Sequence, residues 1–179
     1  GRGVTDPGPT APCDILRRAG VPVQFVGLGG REIPGGHGIA VCADITAEEM
    51  NLDEMEMIVL PGGMGGVHSI LDCPAALDAV RHAWAGGRWV AAICAAPTIL
   101  AKLGITDGKK ATCYPGLESQ MGSAQMQSGA AAVQDGKLLT GAGPGTAIDF
   151  GLLLVRALRG EETAKKVYDG LVYRLARPE

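Results

Sequence analysis

The stretch "RWVAAICAAPTILAKLG", residues 88–104, limits what this chain can fold into more than any other part of it. A near-continuous apolar run such as "RWVAAIC" is what a strand buried on both faces requires. It passes into a helix, "APTILAKLG", within a few residues, and Pro97 suits that helix's first turn. The same alternation runs along the chain. "CDILRRAG" reads as a helix ending at Gly20, followed by a strand, "VPVQFVGL". "GIAVCAD" is a second short strand, and "ITAEEMNLDEM" leads to a third, "MEMIVLPGG". "PAALDAVRHAWAGG" is an amphipathic helix stopped by two glycines. "KKATCY" reads as another strand, and "AAVQDGKLLTG" as a hairpin turning on Asp135-Gly136. Two helices, "PGTAIDFGLLLVRALRG" and "EETAKKVYDGLVYRLA", close the chain. Strands alternating with helices predict an α/β fold with a mostly parallel sheet, here one domain over residues 1–179.

Such a domain normally opens with a buried apolar strand. "GRGVTDPGPTAP" holds three prolines, three glycines and one valine and cannot supply one, which makes residues 1–11 atypical. Either the first strand is absent, or the native N-terminus has been lost or altered.

Composition narrows the function classes. Aromatic residues make up 4% and glycine occurs 28 times, so Ala, Val, Ile and Leu must build the core. A net charge of −3 offers no basic footprint for nucleic acid. No apolar run reaches the length of a membrane span, and no signal peptide is visible. The five cysteines form no C-x-x-C pair and are odd in number, which fits free thiols in a reducing cytoplasm. His37, His68 and His82 lack metal-ligand spacing, so no metal site is expected.

Most free cysteines are small buried hydrophobes. Cys94 differs because it stands where a parallel strand ends and a helix begins, at the carboxyl end of the strands, where open α/β sheets place ligands. The small residues Ala92, Ala95 and Ala96 leave room for a sharp turn, as a nucleophile elbow needs, and the helix start favours a thiolate. Cys42 and Cys113 fall in apparent strands and Cys13 at a helix start, so all three read as packing. Cys73 reads as a loop or surface thiol. "VLPGGMGG" ends a strand at Pro61-Gly62-Gly63, whose backbone N–H groups can face the same crevice and stabilise a developing oxyanion. "GAGPGTAID" is a third glycine-rich turn. Gly143 and Pro144 are candidates to line the pocket, and Asp149 favours the helix dipole. Neither P-loop nor G-x-G-x-x-G spacing is present.

The signatures "DILRRAG", "IVLPGG", "AAICAAPTIL" and "GPGTAIDF", in that order, resemble the ThiJ/PfpI superfamily. The resemblance is greatest to the branch of the Parkinson-disease-associated deglycase and its bacterial relatives, and it spans roughly residues 11–175. It implies a flavodoxin-like three-layer sandwich that forms a homodimer in the cytoplasm. It also implies Cys94 as the reactive residue, with the backbones of Gly63 and Ala95 as oxyanion donors. The activities it implies are conversion of methylglyoxal or glyoxal to hydroxy acids, repair of early glycation adducts, oxidative-stress sensing and holdase chaperoning, with no cofactor.

The chain departs from that family's pattern at one point of consequence. The family's glutamate beside the cysteine would fall near Gly8, where "TDPGPTAP" carries no Glu, and Asp6 is the nearby carboxylate left as a candidate base. Tyr114 stands where some members carry a histidine, Arg18 matches an arginine of the first helix, and His37 lies near a pocket arginine of relatives. Tyr114 and Arg18 are thereby candidate substrate contacts, with Gly62, Gly143 and Pro144.

Two functions follow as expectations. One is a cysteine-dependent glyoxalase or deglycase acting on small aldehydes. The other, which needs the elbow but no base, is a redox sensor or holdase working through oxidation of Cys94. An amidase or peptidase like other superfamily branches would need a histidine after the cysteine, where this chain has Ala95 and no later histidine.

Overall fold

The computed structural model describes residues 7–173; Asp6, the candidate base, lies outside them. In chain order the elements are α1 (Pro7–Arg18), β1 (Val26–Gly27), β2 (Glu32–Pro34), β3 (Ala40–Cys42), β4 (Ile45–Thr46) and β5 (Met57–Leu60). They continue with α2 (Met64–Leu71), α3 (Pro74–Ala85), β6 (Trp89–Ile93), α4 (Pro97–Lys102), β7 (Lys110–Ala111) and β8 (Gln125–Met126). Last come β9 (Ala132–Asp135), β10 (Leu138–Gly141) and α5 (Ala147–Gly170). Within α5, Gly160 leaves helical geometry at φ 84°, so two helices meet at a kink.

The central sheet runs in the order β5-β6-β10-β9. Its first three strands are parallel and β9 is antiparallel. Val90, Ala91 and Ala92 of β6 are wholly buried and Ile93 nearly so, as a near-continuous apolar strand between two layers should be. On α3, Ala76, Ala79, Val80 and Ala83 are buried at helical spacing and face β5 and β6. Burial of the Val80 side chain alone contributes roughly 1.5–3 kcal/mol. Pro74 opens that helix and Gly87, at φ 66°, follows its end. The other helical layer pairs α1 with α5, and α5 covers β6, β9 and β10. The helices approach closely because Gly151 has no side chain: a Cβ there would lie 2.7 Å from Ile15 Cδ1. The architecture is a flavodoxin-like α/β sandwich.

Several local expectations need correction. The first helix starts six residues before Cys13, because Pro7 and Pro9 fall in its first turn, where amides have no intrahelical partner to lose. Of "VPVQFVGL" only Val26–Gly27 pairs as a strand, in a two-stranded parallel ladder with β4. The "GIAVCAD" strand joins the short hairpin β2–β3 instead of the main sheet, so Cys42 is exposed and not packed. The β9–β10 hairpin pairs Asp135 with Leu138, making Gly136-Lys137 the turn. Gly136 has φ 59°, and glycine at the first central position is what a type II′ turn demands. The glycine-rich pattern does not announce α2, which begins directly after the Pro61-Gly62-Gly63 turn.

Candidate active site

Cys94 has φ 66°, a left-handed conformation that L side chains other than Asn and Asp rarely adopt. Two hydrogen bonds hold the residue there. Its amide donates to Gly141 O at 2.9 Å, and its carbonyl accepts from the Tyr114 amide at 2.8 Å. The strain, of order 1–3 kcal/mol, persists because both neighbouring segments over-determine the backbone. Beyond the cysteine, Ala96 N bonds back to Ile93 O and Thr98 Oγ1 donates to Ala95 O at 2.7 Å, closing the turn into α4. Cys94 is 8% exposed and Ala95 3%, so the elbow sits at the edge of the core.

The β5–α2 turn lies directly on this elbow. A Cβ built on Gly62 would come within 2.4 Å of Cys94 Cβ, 2.8 Å of Ile93 O and 3.1 Å of the Cys94 sulfur. Only glycine permits that approach. Gly63, at φ 88°, then caps α2. Among the described residues, neither the Gly63 amide nor the Ala95 amide has a protein acceptor. Two unclaimed N–H groups flanking a cysteine are the elements of an oxyanion hole.

The β10–α5 turn forms the third wall. Gly143, buried, lies under the Tyr114 ring: a Cβ on it would meet Cδ2 at 3.4 Å and Cε2 at 3.7 Å. Pro144 follows, half-buried. Tyr114, 46% exposed, and Met64, 52% exposed, begin the segments that leave this region and give it an apolar rim.

The structure thus brings together Cys94, Ala95, Gly62, Gly63, Tyr114 and Gly143. It does not recruit Arg18, whose Nε lies 2.7 Å from Asp14 Oδ2 on an exposed face of α1. His37 sits on the exposed turn of the β2–β3 hairpin. Asp149 accepts a hydrogen bond from Tyr173 at 2.8 Å. The α1 backbone passes through Gly8, and no described side chain hydrogen-bonds the Cys94 thiol. No three metal-binding side chains converge among the described residues.

Two participants are not evident from the sequence. Gly141, whose carbonyl anchors Cys94, is marked only by its place at the end of "LLTG". Cys113 is buried beside the elbow, one residue before Tyr114. Burial pushes its thiol up to about 11, and the negative charges of Glu118 and Cys94 add to the effect.

A cysteine strained between a buried parallel strand and a helix, beneath a glycine turn from the adjacent strand, defines the class: an α/β sandwich with a cysteine elbow. Comparison with known proteins narrows it further. The pattern of the DJ-1/PfpI family matches residues 1–157, and the chain belongs to that family. It is 37% identical over 161 residues to Drosophila melanogaster "Protein dj-1beta", covering 89% of this chain and 86% of that protein. The crystal structure of Drosophila melanogaster DJ-1beta superposes with a TM-score of 0.90, covering 95% of this chain and 92% of the other at 35% identity. A Caenorhabditis elegans relative, "Glutathione-independent glyoxalase DJR-1.2", is 28% identical over 151 residues, 83% of this chain and 80% of its own. No helix among the described residues is long and apolar enough to cross a membrane.

Proposed function

We propose that the chain is a cysteine-dependent, cofactor-free enzyme of small α-oxoaldehydes, turning methylglyoxal to lactate or reversing early glycation adducts. The observation that carries this reading is the Cys94 elbow with the unclaimed amides of Gly63 and Ala95 beside it. The name of the Caenorhabditis elegans relative supports it. In the proposed cycle the Cys94 sulfur adds to the aldehyde carbon, and the carbonyl oxygen becomes a hemithioacetal alkoxide held by the two amides. A base then moves the C1 hydrogen, as a proton, to C2 by way of an enediol, leaving a thioester. Water cleaves that thioester to the hydroxy acid and restores the thiol. Tyr114, Gly143 and Pro144 wall the aldehyde's substituent, and Asp6 is the candidate base.

The test is methylglyoxal consumption with lactate detection, run on the chain and on its Cys94→Ser and Asp6→Asn variants. Turnover lost in Cys94→Ser supports the reading. Equal turnover in parent and Cys94→Ser, or none in the parent, defeats it.

A second reading is favoured by one observation, that no described side chain serves the thiol as a base. Here Cys94 is a redox sensor: its thiolate attacks peroxide, forms a sulfenic acid and releases hydroxide. Stoichiometric oxygen addition at Cys94 under mild peroxide, without aldehyde turnover, distinguishes this case. In either case the proposed assembly is a homodimer, which sedimentation velocity checks.

A further inference from the structure

The apolar strand β5 lies beside an empty place in the fold. One of its edges pairs with β6, while among the described residues no strand pairs with the other. That open edge borders a cleft of about 970 Å³ lined by all four β5 residues and by Val23, Phe25 and Val26 of the segment leading into and through β1. The backbone pairings of that segment run toward β4: Asp44 N and Ile45 N both donate to Phe25 O, and Val26 is in register with Ile45. The cleft therefore separates the β4–β1 ladder from the β5-β6-β10-β9 sheet. Its other walls are helical, with Leu16 from α1 and Ile70 from α2. The consequence for burial is plain. Met57, Ile58 and Val59 are only half-buried, whereas Val90, Ala91 and Ala92 of the next strand are fully buried.

We propose that this cleft is a binding site for an extended apolar peptide segment, supplied by another polypeptide, that inserts as a strand alongside β5 and joins the two ladders into one sheet. Unpaired backbone N–H and C=O groups along a strand edge select a strand above other apolar ligands. The length of β5, four residues, sets the insert at about four to six residues. Helices line the cleft as well as strand edges, so the insert must be apolar on both faces, a continuous Val, Ile and Leu run instead of an alternating one. The chain's own leading residues do not match that chemistry. The six residues before Pro7 hold two glycines, Arg2, Asp6 and a single apolar residue, Val4. This inference is independent of the reaction proposed for Cys94.

The test uses the 179-residue chain and a synthetic peptide of five Val, Ile and Leu residues flanked by lysines. A matched peptide with alternate backbone nitrogens methylated keeps the side chains but removes ladder donors. The unmodified peptide, at a hundredfold excess over its Kd, is expected to raise the thermal midpoint by about 5–10 °C. It is also expected to slow hydrogen exchange of the Met57–Leu60 amides, while the methylated peptide does neither. Equal effects of both peptides would overturn the proposal by showing apolar binding without strand pairing. No effect of either at millimolar concentration would also overturn it. So would a self-associated chain whose β5 amides are already protected and stay so on adding peptide, because a second copy would then fill the cleft.

Discussion

Replacing Gly62 by alanine tests whether the β5–α2 turn is pressed against the cysteine elbow. The added Cβ would lie 2.4 Å from Cys94 Cβ and 2.8 Å from Ile93 O, against an ordinary contact of 3.4 Å or more. Neither neighbour is the loose end of a flexible side chain. One is the first atom of a residue held by hydrogen bonds on both sides, and the other is a carbonyl in the most buried strand. The turn must therefore retreat by about 1 Å. Overpacking of this kind costs about 1–3 kcal/mol, and the rigidity of both neighbours places Gly62→Ala near 3. A shift of that size between the Gly63 amide and the Cys94 sulfur would also slow aldehyde turnover about 100-fold, where the parent shows turnover. Urea denaturation gives the stability change directly. Gly145→Ala is the matched control, since its Cβ would meet nothing within 4 Å and it should change stability by less than about 1 kcal/mol. If Gly62→Ala unfolds within about 0.5 kcal/mol of that control, the close approach does not govern the site and the reasoning fails.

Three further outcomes are expected. Cys94→Gly should be more stable than Cys94→Ala by about 0.5–1 kcal/mol, because alanine keeps the left-handed penalty that glycine escapes; an alanine variant at least as stable would contradict the strain. Cys113, raised from 9.0 to about 11, keeps its proton in the folded protein after the unfolded chain has released it. Its contribution is therefore full below pH 9 and lost as pH rises toward 11, a decline of up to ~2.7 kcal/mol that Cys113→Ala should lack in denaturation series at pH 8.5 and 11. Gly136→Ala should cost about 1 kcal/mol, since φ 59° suits glycine alone at the head of the hairpin turn, and an unchanged urea midpoint would count against that turn type.

Local chemistry made much of this protein legible from its sequence. The apolar run into Cys94 and the proline after it announce a buried strand turning into a helix. The spacing of Ala76, Ala79, Val80 and Ala83, with two glycines behind, marks one face and the end of α3. These features depend on residues within about a dozen positions of one another, where periodicity, φ restrictions and capping operate. Tertiary structure decided the rest. Cys42 lies in a strand, as its apolar neighbours suggest, yet is exposed because that strand pairs within a small hairpin outside the main sheet. The hairpin slips one residue from Asp135-Gly136 to Gly136-Lys137 because its register is set by the β10 strand pairing with β6 as well as with β9. "VPVQFVGL" looks like one long strand but pairs over two residues, since a strand needs a neighbour on its edge and the cleft supplies none. The contact of Gly62 with Cys94, and the anchoring of Cys94 by Gly141 and Tyr114, join positions 20 to 47 residues apart. No local pattern encodes such distances, because they follow from how the parallel strands stack side by side and bring their carboxyl ends to one edge of the sheet.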